Sequence, residues 1–242
     1  MMTTPQNPFS GVISFERPYE KDGAPACGIY LVSPVKLRIN LFAQQLRHAV
    51  AALNESRYQK NMHALEMRFP KAIYDKERAE ANALVAICKR NGVVPVVRND
   101  IGLCIECQAD GVILDDPANV AEARRILGDS AIIGVDCGND KKKAKKALEA
   151  GVDYVSFSRF FAKKDSNSYA DLSLLEWWSM QTHLPAVATG SVGGTRAIEM
   201  VRAGAGFIAP GSWVWNYAKG PKQAIYWLQA CVEHAAGEQR VN

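Results

Sequence analysis

The sequence predicts an α/β chain folded as a single (β/α)8 TIM barrel, on three observations. Eight short apolar runs, bounded by turn residues, alternate with longer amphipathic stretches. The runs lack strict polar alternation, as expected of parallel strands covered on both faces. The length of 242 residues suits one barrel of roughly 250 residues, and no linker or shift in composition marks a second domain.

The expected strands are 28–33, 62–69, 93–98, 111–114, 131–136, 152–158, 185–190 and 206–209. Leu41, Leu46, Val50 and Leu53 mark the first helix; Ala79, Ala83, Ala86 and Ile87 the second; Ala197, Met200 and Val201 one near the end. Gly92, Gly151 and Gly204 stand between a helix and the next strand, where glycine permits a left-handed cap. An irregular arm is expected over residues 1–27 and the barrel over 28–236. The competing topology, an open sheet with a dinucleotide site, requires a glycine-rich turn after an early strand. The first run ends instead in Val32-Ser33-Pro34.

Composition narrows the function classes. With 48% hydrophobic and 22% charged residues the chain can bury a full core. No apolar run reaches the ~18 residues of a membrane span, and Met1–Ser10 lacks the basic start and apolar stretch of a leader, so a cytoplasmic protein is expected. The net charge of +4 is mild, and Lys141-Lys142-Lys143-Ala144-Lys145-Lys146 reads as a solvated helix face. Without interleaved aromatics or a recognised module, no nucleic-acid partner is expected. Cys104-Ile105-Glu106-Cys107 has CxxC spacing but no second pair, which favours buried reduced thiols over zinc. Trp213, Trp215, Tyr217, Tyr226 and Trp227 favour core packing or a subunit contact, so a homodimer is a candidate assembly.

In such a barrel the strand tips converge on one mouth, and each tip can be read for chemistry. The second run ends Glu66-Met67-Arg68-Phe69-Pro70-Lys71. Arg68 and Lys71 suit a polyanion such as diphosphate; equally, Glu66 and Arg68 could pair internally. The third ends Arg98-Asn99-Asp100, where Asn and Asp could orient Mg2+ or simply cap the following helix. Asp115 and Asp136 end the fourth and fifth runs and add carboxylates to the mouth. The Gly190-Ser191-Val192-Gly193-Gly194 and Pro210-Gly211-Ser212 turns follow the seventh and eighth, the usual places of a phosphate site. His48, His63, His183 and His234 have no partner at catalytic spacing and receive no catalytic role.

The order of these motifs, from Gly28-Ile29-Tyr30-Leu31-Val32 to about Asn216, resembles the thiamine-phosphate synthase and thiazole tautomerase family of (β/α)8 barrels. Glu66-Met67-Arg68-Phe69-Pro70-Lys71 resembles the family's Gln-x-Arg-x-Lys diphosphate motif, with Glu66 for Gln and Lys71 one residue late. Asn99-Asp100 matches its Asn-Asp pair, Ala109-Asp110-Gly111-Val112-Ile113-Leu114 its Gly-Val-His-Leu strand, and Ala188-Thr189-Gly190-Ser191-Val192 its Ala-Ile-Gly-Gly-Ile phosphate loop. Gly211-Ser212 falls where a serine phosphate turn belongs. Departures are Ile113 for His, Ala118 for a second magnesium carboxylate, Asp136 for Ser, Gly138 for His, and Lys163-Lys164-Asp165-Ser166 for a Thr-x-Thr-Lys loop.

The resemblance implies a transferase that joins a pyrimidine-methyl diphosphate to a thiazole phosphate and releases diphosphate. It assigns catalysis to Arg68, Lys71 and Asp136, and metal binding (Mg2+) to Asp100 with Asp115. Glu66, Asn99, Lys163, Gly190, Ser191, Gly211 and Ser212 would hold the phosphorylated small-molecule substrates. The alternatives are a barrel that binds a phosphorylated ligand without catalysis, a thiazole tautomerase, and an enzyme for another phosphorylated substrate with Asp136 as acid or base.

Overall fold

Eight strands pair in chain order, all parallel, and the eighth closes onto the first. The computed structural model describes residues 27–55, 62–70, 75–161, 170–190, 192–193 and 195–239. The strands are β1 (Gly28–Val32), β2 (His63–Met67), β3 (Val93–Arg98), β4 (Gly111–Leu114), β5 (Ile132–Gly138), β6 (Tyr154–Phe160), β7 (Ala186–Gly190) and β8 (Phe207–Ala209). All eight expected runs are strands. Two reach further toward the mouth than expected: β5 ends at Gly138 rather than 136 and β6 at Phe160 rather than 158. All but Cys27 of the arm expected over 1–27 lies outside the described residues.

Side-chain parity divides the sheet. Leu65, Met67, Val97, Val112, Val135, Val155 and Ile208 face outward into the main core beneath the helices. Tyr30, Ala64, Val94, Val96, Ile113, Ile132, Tyr154, Val187 and Phe207 face inward and form a separate cluster. The tyrosine hydroxyls of Tyr30 and Tyr154 meet at 3.0 Å across the axis, and Phe207 lies edge-on to Tyr30 at 6.3 Å. Glycine makes room for these rings: a Cβ on Gly134 would lie 2.2 Å from Tyr154, and one on Gly28 would lie 2.6 Å from Phe207. The axis is therefore packed solid below the mouth, as small barrels require.

The outer layer comprises α1 (Ile39–Asn54), α2 (Asp75–Arg90), α3 (Ile101–Glu106), α4 (Val120–Leu127), α5 (Lys141–Glu149), α6 (Ser173–Gln181), α7 (Arg196–Arg202), α8 (Ser212–Trp215) and α9 (Gly220–Gln239). A 3-10 turn, Pro117–Asn119, precedes α4 and is capped by the Asp116 carboxylate. Helix faces needed correction in two places. Leu41 is 52% exposed, and Phe42 takes the buried position in α1. In α2 the alanines at 79, 83 and 86 face solvent, while Ala81, Leu84, Val85, Ile87 and Cys88 are buried. Alanine accepts either face, so it marks helical propensity but not orientation. The three helix-ending glycines have φ of +67°, +80° and +95°, the left-handed values expected of them.

Two groups fix the ends of β1. At its start the Ile29 N–H donates to Nδ1 of buried His63 at 3.1 Å, and His63 Nε2 has no partner among the described residues. Burial pushes the His63 pKa down to about 4. At its other end Trp215 Nε1 donates to the Val32 carbonyl at 2.7 Å, tying α8 to β1. All six cysteines are buried, and none forms a disulfide. Desolvation raises Cys27, Cys104 and Cys137 to about 12, so these thiols are unreactive at neutral pH. The aromatic residues after β8 pack on one another and on the core, with Trp213 5.5 Å from Trp227 and 4.9 Å from Tyr217.

Candidate active site

Inward parity carries polar side chains to the mouth once the apolar plug ends. Register pairs Glu66 with Val96, Arg98 with Ile113, Asp136 with Ser156 and Thr189 with Ala209. These residues continue the inward rows of β2, β3, β5, β6 and β7 toward their C-terminal ends, where a barrel places its chemistry.

Arg98 is the hub. Its Nη1 donates to Glu66 Oε1 at 3.1 Å, and its Nη2 donates to Asp136 Oδ2 at 2.7 Å and also to Asp115 Oδ1. One guanidinium thus binds carboxylates from β2, from β5 and from the tip of β4. Burial acts to lower its pKa, but Glu66, Asp136 and Asp115 outweigh it and hold Arg98 well above its ordinary value. Arg68 adds its Nε–H to the same Glu66 oxygen at 2.6 Å. The cluster therefore sets three carboxylates against two guanidiniums, with Glu66 at the bottom, its side chain only 2% exposed.

Backbone geometry adds to this order. Asn99 has φ +54°; its Nδ2 donates to Asp115 Oδ2 and its Oδ1 accepts the Asp115 N–H at 2.7 Å. The side chain that tolerates the left-handed conformation thus also clamps the next strand tip. Arg159 and Phe161, flanking Phe160 at the end of β6, also have positive φ, +71° and +56°. Such conformations cost energy in non-glycine residues and persist where the surroundings over-determine them.

Above Glu66 opens a cavity of about 910 Å3, reached by Arg68, Asn99, Asp100, Asp136 and Gly190; Arg98 itself forms part of its wall, and Ser156, Ser158, Arg159 and Thr189 lie on its β6–β7 side. The structure therefore brings together five residues singled out by sequence. Glu66 and Asp115 belong to the ion-pair cluster but do not line the cavity, and Gly211 and Ser212 lie outside its lining. Gly211, at φ +56°, precedes α8 and Ser212 begins it. Lys71, Lys163 and Ser191 lie outside the described residues. Gly190 has a packing reason to be glycine, since a Cβ would sit 2.2 Å from the Phe160 carbonyl oxygen.

The carboxylates differ in what they can offer a cation. Asp115 has both oxygens engaged, by Arg98 and Asn99. Asp136 Oδ2 is held by Arg98, while Oδ1 accepts the Gly138 N–H at 3.1 Å. Asp100 caps α3 through Oδ1, which accepts the Leu103 N–H at 2.8 Å; its other oxygen has no partner among the described residues. Among those residues no three His, Cys, Asp or Glu side chains are grouped to hold a metal ion. The pairing of Asp100 with Asp115 as a preformed metal site does not fit this donor set, whereas Asp100 alone fits one contact to a metal carried by a phosphate ligand.

Sequence reasoning missed Arg98 as the centre of the site. The available signal was parity: Arg98 stands two residues beyond Val96, the neighbour of Glu66, and so must face inward with it. Ser156, Ser158 and Thr189 could have been found in the same way.

Comparison with known proteins agrees with this architecture. A family model described as thiamine monophosphate synthase matches residues 29–214. A thiamine-phosphate synthase of Erythrobacter litoralis is 38% identical over 214 residues, covering 86% of this chain and 95% of that protein. One of Hyphomonas neptunium is 32% identical over 218 residues, covering 88% and 96%. Among solved structures, thiamine phosphate pyrophosphorylase of Pyrococcus furiosus superposes with a TM-score of 0.70 at 21% identity, covering 87% of this chain and 96% of that one. Orotidine 5'-phosphate decarboxylase of Pyrococcus horikoshii, at TM-score 0.62 and 12% identity, shares the barrel alone.

Proposed function

The chain belongs to the thiamine monophosphate synthase family, and we propose that it couples a pyrimidine-methyl diphosphate to a thiazole phosphate with release of diphosphate. It is a transferase of thiamine biosynthesis, as its relatives are. The observation that carries the substrate assignment is a single mouth cavity of about 910 Å3 that places Arg68, Asp100, Asp136 and Gly190 on common ground. That volume falls within the range of small-molecule sites.

In this reading the bond between the pyrimidine methylene carbon and the diphosphate oxygen breaks, and its electron pair leaves on diphosphate. The thiazole ring nitrogen supplies the pair for the new C–N bond, leaving a thiazolium. No proton has to move, so no general base is required. Arg68 offers Nη1 and Nη2 to the departing diphosphate, with Lys71 as a second cation, stabilising charge where it develops. Asp136, held in place by Arg98 and the Gly138 N–H, faces the electron-poor methylene. Asn99 and the chain at Gly190–Ser191 would hold the phosphorylated groups, with Lys163, Gly211 and Ser212 as further candidates for that role.

Mg2+ fits this site as a companion of the diphosphate, held to the protein by Asp100. When bound it would supply added positive charge to the leaving group. A tautomerase reading has less support, because none of the four histidines lines the cavity and Ile113 is buried in the barrel interior. Incubation of the purified protein with both substrates and Mg2+ tests the proposal. Diphosphate and thiamine phosphate should appear in equal amounts; no release above background refutes it.

A further inference from the structure

We propose that Arg98 is a positioning residue: by binding three carboxylates at once it fixes Glu66, which in turn aims the guanidinium fork of Arg68 into the cavity. The inference rests on the reading of this mouth as a diphosphate site.

Arg68 is gripped at one point. Its Nε–H donates to Glu66 Oε1 at 2.6 Å, and no described residue engages Nη1 or Nη2. A guanidinium held at Nε presents its outer edge, the edge that matches phosphate oxygens in pairs. The grip is only as good as the placement of Glu66. Glu66 is buried, so its charge needs compensation that Arg68, 35% exposed, supplies in part. Arg98 completes it, reaching the same oxygen at 3.1 Å.

Arg98 also lines the cavity, but carboxylates engage both terminal nitrogens of its guanidinium. Its Nη2 is spent on Asp136 and Asp115, its Nη1 on Glu66, and carboxylates surround it. Those committed nitrogens act on an anion through the carboxylates they hold in place. Only a planar fork can hold partners on β2, β4 and β5 together; a lysine keeps the charge but cannot span them.

The test is calorimetric titration of the full chain with inorganic diphosphate, beside steady-state kinetics for both substrates. Arg98→Lys leaves net charge unchanged, so a field effect alone would leave binding alone. The expected result is about tenfold weaker diphosphate binding and a matching rise in KM for the diphosphate substrate. KM for the thiazole phosphate should stay within about twofold. Diphosphate binding by Arg98→Lys equal to that of the parent overturns the proposal.

Should Arg98→Lys fail to fold, the near-isosteric Glu66→Gln decides. Removing a carboxylate near the anion should tighten binding if Glu66 acts only as a charge. If it orients Arg68, binding should weaken by about threefold, because a neutral acceptor grips two guanidiniums less firmly. Equal or tighter binding refutes the orienting role. A parent protein that does not bind diphosphate removes the diphosphate reading and this inference together. A parent that binds, with unaffected variants, removes the Arg98 assignment alone.

Discussion

Acidification should destabilise this barrel through one imidazole. His63 is buried at the start of β2 and accepts the Ile29 N–H at Nδ1, while no described residue partners Nε2. Its pKa is pushed from 6.5 down to about 4, the cause being burial. The unfolded chain therefore takes up this proton at a higher pH than the folded one. The stabilisation is fully present above pH 6.5 and is lost as pH falls toward 4. A fall of that size, at ~1.4 kcal/mol per pH unit, amounts to on the order of 3 kcal/mol. Other groups titrate in the same window, so the measurement must be a difference. His63→Asn keeps an acceptor for Ile29 without a titrating ring. Urea unfolding of both proteins from pH 7.5 to 4 should show a flat difference at high pH. Below 6.5 the parent should lose ground to the variant by on the order of 3 kcal/mol. Parallel stability curves for the two proteins would refute the argument.

Three further outcomes follow from local geometry. Gly134→Ala places a Cβ 2.2 Å from the rigid ring of Tyr154 and should cost roughly 1–3 kcal/mol by overpacking in thermal or urea unfolding; in a Tyr154→Val background, where the ring is gone, the same change should cost much less. Asp100→Asn keeps a good helix cap, so stability should change by less than about 0.5 kcal/mol, while the Mg2+ concentration for half-maximal activity should rise about tenfold; an unchanged Mg2+ requirement would leave Asp100 as a cap alone. Trp215→Phe strands the Val32 carbonyl and should lower stability by about 1–3 kcal/mol in urea titration; unchanged stability would show that the bond contributes nothing.

The strands were legible because β-branched runs bounded by turns leave few alternatives, and even four-residue β4 was placed correctly. The orientation of α2 was not, because three of its four apolar marks were alanines that fit both faces, and Ile87 alone pointed to the buried one. At the site, Arg68, Asn99, Asp100, Asp136 and Gly190 were visible as strand-tip residues and do share one cavity. Which charges would pair was not visible. Glu66 and Arg98 meet only because the β2–β3 register sets them on adjoining inward rows, and that information lies between strands rather than within either one. Asp100 looked equally like cap and ligand in the sequence, and one oxygen of the structure is indeed spent on the cap.

The rings of Tyr30, Tyr154 and Phe207 that stopper the cylinder also govern traffic. With no passage along the axis, both reactants must arrive by the same doorway, and both products must depart through it. The plug thus fixes the side from which everything that binds at the mouth has to approach.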